Sequence, residues 1–311
     1  MRPTLPALCA LAALSASAYG ASVLSDWNLI VRNHLNGTSE VDGSALIGGS
    51  TTGTMNFAVQ GVTSSNGDGL AVGGNIFSTV QVNNGGNLRL TGSVFGSTNL
   101  NGGGSLINDA GVSSMVSSAF SEIVSLQSAL GSLTANGTLD GAGNMNAAPT
   151  NINGANIAVY SISATQLIGL GQLNLNFGSA DAVVINVAAD ANGVVSFNAP
   201  PNFVGGLGDQ NNSSKIIWNL ADATTVIVNN NFNGALLAAN ADLQLLGGGI
   251  NGSVVVDTVS ALNAEIRRFT YNGWLPPQQD PPPPPLIPAP AAGAMGFAGL
   301  LAVGARRRRL P

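Results

Sequence analysis

Apolar residues along this chain fall in short, often β-branched runs separated by tight polar turns. Leu46-Ile47, Met55 to Val59, Leu70 to Val72, Val80 to Val82 and Leu88 to Leu90 form a first series, most of them closed by Gly-Gly, Asn-Gly or Gly-Ser. The pattern resumes at Ile157 to Ile162, Leu173 to Phe177, Val183 to Val187, Val194 to Phe197, Ile216 to Trp218 and Thr225 to Val228. It ends with Ala235 to Ala238, Leu243 to Leu246 and Val254 to Val256. A recurrence of ~10–20 residues predicts many short strands without a strict sequence repeat. Such spacing fits an antiparallel β-sandwich or a β-solenoid of stacked turns. Two features favour the solenoid. Gly73-Gly74, Gly85-Gly86, Gly102 to Gly104 and Gly247 to Gly249 stand where corners need positive φ or close backbone approach. Asn75, Asn83, Asn84 and Asn229 to Asn231 suit the same corners, because asparagine tolerates left-handed backbone and stacks in ladders.

One segment breaks the β pattern. From Gly111 to Leu133 apolar residues fall at Val112, Met115, Val116, Ala119, Phe120, Ile123, Leu126 and Leu130. That i, i+3, i+4 spacing predicts a helix over 111–133 whose apolar stripe lies against the β body.

Both ends depart from the domain pattern. Met1-Arg2 followed by an apolar core from Pro3 to Leu14 and Ala16-Ser17-Ala18 has the layout of a signal peptide, residues 1–21, with cleavage after Ala18 or Ala21. Cys9 lacks both a proper lipobox and enough apolar core upstream for a lipoprotein. The β domain is then expected over 22–275, with a Pro-rich linker over 276–287 and a sorting tail over 288–311. The tail has three parts: Pro288-Ala289-Pro290, a short transmembrane segment over 291–305 and the cluster Arg306, Arg307, Arg308 and Arg309. The run Pro281 to Pro285 is a stiff spacer. An apolar stretch of about 15 residues falls short of the ~20 that span a bilayer comfortably, so it suits temporary retention. The arginines hold it on the cytoplasmic side. This layout implies export, transient inner-membrane retention, and release to the cell envelope or exterior.

Removing the ends changes the composition. The single cysteine is lost, so the domain holds no disulfide and depends on burial and backbone pairing. Five basic residues (Arg32, Arg89, Lys215, Arg267, Arg268) face 15 acidic ones, which deepens the full chain's net charge of −5. An acidic surface argues against nucleic acid as a partner.

The search for chemistry returns little. His34, the one histidine, sits among Asn33, Leu35 and Asn36 with no nucleophile motif beside it. Zinc lacks ligands. Glu40-x-Asp42 is the closest carboxylate pair, on one face if extended, and would be the first pair to mutate if the protein cleaved polysaccharide. Calcium is weakly suggested at Asn66-Gly67-Asp68-Gly69 and Gly208-Asp209-Gln210-Asn211, neither with the acidic density of a dedicated loop. Trp27, Trp218 and Trp274 are too scattered for a sugar-stacking row, and Trp218 within KIIWNL reads as core. No cofactor and no catalytic or metal-binding residue is assigned, and the chain is expected not to be an enzyme.

At this point the residues resemble a family. The runs Lys215 to Val228, Phe232-Asn-Gly234-Ala-Leu-Leu-Ala238-Ala-Asn240-Ala and Ile250-Asn-Gly252-Ser-Val resemble the C-terminal half of choice-of-anchor A domains. Upstream, Glu40-Val41-Asp42-Gly43 through Gly48-Gly49 and Leu70-Ala-Val72-Gly73-Gly74-Asn75 are similar to its glycine-pair elements. Glu40, Leu46, Leu220 and Ala239 depart from the family's usual Asp, Ala, Phe and Pro. The tail is similar to the PEP-CTERM class of exosortase signals, with Pro288-Ala289-Pro290 in place of Pro-Glu-Pro. The resemblance implies a β-solenoid of ice-binding-like layout with one flanking helix, and a bacterial surface or matrix protein. Its implied partners are signal peptidase, an exosortase-like processing enzyme and exopolysaccharide or matrix components. A specific glycan-binding module is the alternative. Ice binding is the less favoured relative of that reading, because Thr51-Thr52 and Thr224-Thr225 do not recur at regular steps.

Overall fold

The computed structural model describes residues 19–277, apart from Ala199. Its backbone winds into a parallel β-solenoid in which each full turn contributes one strand to each of three ladders. The first turn is Leu29–Val31, Leu35–Gly37 and Glu40–Val41; the next, Ala45–Ile47, Thr51–Thr52 and Met55–Phe57, stacks on it in register. We call the three ladders faces A, B and C in that order. Among the described strands the only antiparallel pairings are Gly137–Leu139 with Asn144–Ala147 and Thr150–Ile152 with Ala155–Ser163. The antiparallel sandwich is therefore excluded.

Sequence order and stacking order differ. Leu29–Val31 pairs with Ala45–Ile47 on one side and with Val254–Val256 on the other, so the last turn stacks on the first. From the middle, the turns build outward to Leu106–Asn108, which pairs with Asn87–Leu90. The chain then crosses to the opposite end. From Ala155–Ser163 it winds back through Ala182–Ala188, Ile216–Asn219 and Ala235–Asn251 to rejoin the first turn.

Among the described residues three α-helices accompany the strands: α1 (Tyr19–Asp26), α2 (Val112–Gly131) and α3 (Ala164–Leu167). The helix expected over 111–133 is α2, with Gly111 as its N-cap residue. It makes the return crossing along face A. Twenty residues at ~1.5 Å rise span ~30 Å, enough to cover about six strands spaced ~4.8 Å apart. The face A strands beneath it, such as Leu29–Val31, Ala45–Ile47 and Val254–Val256, are consequently buried on both sides and read as continuous apolar runs. Leu29, Val31, Ala45 and Ile47 fill the solenoid interior, whereas Ile30, Leu46, Val184, Ile217, Leu237 and Val255 pack with Val116, Ile123, Leu126 and Leu130 of α2. Polar pins fix the helix. Gln127 Nε2 donates to the Leu237 carbonyl at 2.9 Å, Asn219 Nδ2 to the Gln127 carbonyl at 3.0 Å, and Asn186 Nδ2 to the Leu130 carbonyl at 3.0 Å. Helices α1 and α3 lie outside the expected set; α1 straddles the expected boundary between signal peptide (1–21) and β domain (22–275), and its Leu24 is fully buried beside α2.

The expected corners are met in part: Asn75, Asn83 and Asn229 to Asn231 do not take positive φ, and Asn229 to Asn231 and Gly247 to Gly249 fall within the strands Thr225–Asn233 and Ala235–Asn251. Gly85 and Gly248 adopt φ of +73° each, and Asn84 joins them at +53°. Gly73-Gly74 serves by close approach instead, since a Cβ on Gly73 would strike the Gly48 carbonyl. The asparagines ladder, Asn101 Nδ2 donating to Asn83 Oδ1 at 3.0 Å across an 18-residue step and Asn251 Nδ2 to Asn233 Oδ1 at 2.6 Å.

Glu122 of α2 is a liability within this packing. Burial pushes its carboxyl up to about 7 from 4.5, and its Oε1 is buried without a hydrogen-bond partner. A raised folded-state pKa gives a contribution that is full below 4.5 and is lost as pH rises through about 7. Glu122→Gln is therefore expected to raise the thermal midpoint relative to wild type at pH 8 and to leave it nearly unchanged at pH 4. Equal midpoints of the two proteins across that range would contradict the assignment.

Candidate functional site

With face A sealed by α2, faces B and C remain open to solvent. On face B, Leu35, Thr51, Ile76 and Val94 point inward on successive turns. The next residue of each turn points outward, giving Asn36, Thr52, Phe77 and Phe95. Thr52 Oγ1 donates to Asn36 Oδ1 at 3.0 Å, and Asn36 Nδ2 donates to the Ser260 carbonyl at 3.0 Å. Phe77 and Phe95 stack with ring centroids 5.3 Å apart and planes 11° from parallel. They are 51% and 68% exposed, an unusual position for two large apolar side chains. Beside this column lie His34, whose Nδ1 accepts from the Ser50 N–H at 3.1 Å, and Asn75, whose Oδ1 accepts from the Ser93 N–H at 2.9 Å. The strip from Asn36 to Phe95 thus joins amide and hydroxyl groups to aromatic carbon, with no carboxylate, lysine or arginine among the residues named. Those are the two chemistries a neutral sugar polymer offers in return, hydroxyls and C–H faces.

The sequence did not single out Phe77 and Phe95. Their signal is the spacing, the same 18-residue step that joins Thr79 to Ser97 one strand later. The tryptophans go elsewhere. Trp218 is fully buried in the solenoid interior, whereas Trp27 and Trp274 pack against the cluster between α1, α2 and face A.

Face C carries one cluster of charged residues. Glu40 and Asp42 flank inward-pointing Val41 and so share one surface, beside Glu265, Arg267 and Arg268. Arg267 Nε donates to Glu265 Oε2 at 2.8 Å, and the Arg268 N–H to Asp42 Oδ2 at 3.3 Å. Partial burial and then the Glu265 carboxylate hold the Glu40 carboxyl above its ordinary range; burial does the same for Asp42, against the Arg268 N–H. The pair lies on an open face among ion-pair partners.

The two loops weighed for calcium are otherwise engaged. Asp68 begins a face A strand, and both of its carboxylate oxygens accept from Arg89, at 2.6 and 3.3 Å. Asp209 caps the 3-10 turn Gln210–Lys215, Oδ1 accepting from the Asn211 N–H at 3.0 Å. Ala21 falls within α1, while Ala18, Pro288, Ala289, Pro290 and Arg306 to Arg309 lie outside the described residues, as does the 291–305 segment. Among the described residues no helix is long and apolar enough to cross a membrane.

A family model described as "Putative Ice-binding-like adhesive domain" matches residues 20–268. The chain belongs to that family. Its fold is similar to the crystal structure of an ice binding protein from an Antarctic Biological Consortium, with 14% identity and a TM-score of 0.34 over 79% of this chain and 88% of the other. It is also similar to an ice-binding protein from the Antarctic ascomycete Antarctomyces psychrotrophicus, with 14% identity and a TM-score of 0.33 over 84% and 98% of the two chains. No curated protein matches the sequence. For an ice-binding-like adhesive domain, the working surface is expected on a face left open. Here the sealed face also receives both ends of the domain, since Leu24 and, more loosely, Trp274 and Leu275 join its cluster.

Proposed function

We propose that this adhesive domain is the binding part of an exported, non-enzymatic surface or matrix protein, and that face B holds neutral polysaccharide through weak, repeated contacts. The observation that carries this reading is the uncharged Asn36–Thr52 strip running into the exposed Phe77–Phe95 stack. The placement of Leu24 and Trp274 in the cluster on the helix-covered side supports it, because the described ends of the domain then lie off faces B and C. The remaining parts of the proposal rest on sequence. They are cleavage after Ala18 or Ala21, transient inner-membrane retention by 291–305 and Arg306 to Arg309, and processing near Pro288-Ala289-Pro290 by an exosortase-like enzyme. Resemblance to choice-of-anchor A and PEP-CTERM proteins supports the same route.

A single experiment addresses both halves. Protein released into culture fluid is analysed by mass spectrometry for its ends and then tested for retention on insoluble cellulose, chitin and β-glucan. The expected protein begins after Ala18 or Ala21, ends near Pro288 and is retained. Phe77→Ala/Phe95→Ala should lower its affinity about tenfold, which corresponds to ~1.4 kcal/mol. Retention unaffected by the double substitution, or absent on all three polymers, would overturn the face B assignment; an intact arginine cluster confined to washed membranes would overturn release. Ice recrystallisation inhibition by the same sample would replace polysaccharide with ice as the ligand. The column Ser260, Asn36, Thr52, Phe77 and Phe95 lacks the repeated small hydroxyl that an ice-ordering surface calls for, so that outcome is not expected.

A further inference from the structure

The two ends of the solenoid are finished differently. At one end, Ala155–Ser163 is covered by the antiparallel strand Thr150–Ile152, and Gly137–Leu139 and Asn144–Ala147 fold over the interior. Met145 is fully buried there and Leu139 packs against the core, so that end is capped. The opposite end has no such cover among the described residues. Leu106–Asn108 pairs only with Asn87–Leu90, and Ser97–Leu100 only with Thr79–Val82. Three apolar residues at this end are left part-open. Leu106 stacks on fully buried Leu88, yet it is 46% exposed because no following strand covers it. Val94 and Leu100 of the last turn are likewise only part-buried.

The backbone at this end is also unfinished. The Leu88 N–H donates to the Ser105 carbonyl and the Asp109 N–H to the Leu90 carbonyl. Parallel strands direct alternate residues to alternate neighbours. The N–H and C=O groups of Leu106 and Asn108 therefore point away from the ladder, with no partner among the described residues. Bare apolar ends and free strand edges are what terminal units of stacked architectures normally blunt.

We infer that this end is a self-association surface, and that a second copy of the chain covers it about a two-fold axis through Ile107. A two-fold axis across a strand edge makes the pairing antiparallel. Leu106 then stands opposite Asn108 of the second copy, and the two residues exchange their free N–H and C=O groups. The edge itself suits this occupant: Leu106–Asn108 carries no charged side chain, so two such strands pair without like charges opposite each other, and the adjoining Asp109 is held by Arg89 at 2.7 Å. The chain's own Pro-rich segment is a poor cover, because Pro281 to Pro285 have no N–H to donate. Pairing in this way would join two face B surfaces in one particle and raise avidity without any new ligand contact.

Sedimentation velocity of the full chain over a concentration series tests the inference. A reversible dimer is expected, with Leu106→Arg sedimenting as a monomer throughout and Asn146→Arg, at the capped end, dimerising like wild type. A wild-type monomer at every concentration, or a dimer that survives Leu106→Arg, would overturn it. Should Leu106→Arg fail to fold by circular dichroism, Ile107→Cys in a Cys9→Ser background decides. Residues facing each other across a non-hydrogen-bonded antiparallel pair lie ~4.5 Å apart, within disulfide reach. A cross-linked dimer on a non-reducing gel supports the two-fold pairing, and an uncross-linked chain rejects it.

Discussion

Trp218→Ala is expected to lower the unfolding free energy by ~3–5 kcal/mol, the range for truncating a buried tryptophan in a close-packed interior. The indole is fully buried at the centre of an aromatic cluster. It stacks on Phe203 at 5.5 Å with planes 9° apart, meets Phe197 edge-on at 5.3 Å and leans on Phe232 at 5.3 Å. Its Nε1 donates to the Asn233 carbonyl at 3.0 Å, a bond within the interior. Alanine would therefore leave a cavity shared by three phenylalanines and a buried carbonyl without its donor. Trp218→Phe separates the two losses, since it refills most of the volume and forfeits the hydrogen bond; an intermediate cost is expected. Urea denaturation followed by circular dichroism reads both. A loss below ~1 kcal/mol for the alanine variant would mean that the cluster repacks around the gap, contrary to the close packing invoked here.

What could be read from the chain itself follows from what each signal encodes. Helix α2 was legible because its apolar positions repeat along contiguous residues. Corners such as Asn84-Gly85 and Gly248 were legible because a left-handed corner restricts residue type at that position. Strand alternation reports which side of a strand is buried, but it is silent about which strand lies alongside. For that reason parallel and antiparallel arrangements both remained open until Leu29 was seen to pair with Ala45 and Val254. The closure between Val254 and Leu29 joins segments far apart in the chain and leaves no local mark. Phe77 and Phe95 went unnoticed because the steps along face B are unequal, 16 residues from Asn36 to Thr52, 25 from Thr52 to Phe77 across the longer connection between Met55–Phe57 and Asp68–Val72, and 18 from Phe77 to Phe95. Helix α1 was hidden for another reason: it straddles the end of a leader-like segment, and among its residues with described side chains only Leu24 is fully buried. Asp68 was weighed as a calcium ligand because acidic and glycine residues in a turn look alike whether they serve an ion or a guanidinium. Its partner, Arg89, lies 21 residues away on the next turn.

That partnership supports the second large effect. Arg89 bridges three consecutive turns near the uncapped end, giving Nε and Nη2 to Asp68 and Nη1 to Asp109 at 2.7 Å. The Asp68 side chain is fully buried and Arg89 retains 18% exposure. Removing one member of a buried ion pair costs ~3–5 kcal/mol, because the other charge is stranded out of water. Arg89→Met keeps much of the aliphatic stem and deletes the guanidinium, so it should fall in that range. Arg89→Lys should cost less but still measurably, since an ammonium cannot reproduce the fork that reaches both carboxylates. Asp68→Asn/Arg89→Met is the decisive comparison. With no stranded charge the double variant should recover part of the loss, and its stability should exceed that of Arg89→Met alone. Were the double variant less stable than the single, the guanidinium would be acting mainly through Asp109. The Asp109 carboxylate is held below its ordinary range by the Gly111 N–H first and Arg89 second, at the point where the last turn passes into α2. In that case the same network would still stabilise the fold, but by fixing the entry of the helix that seals face A.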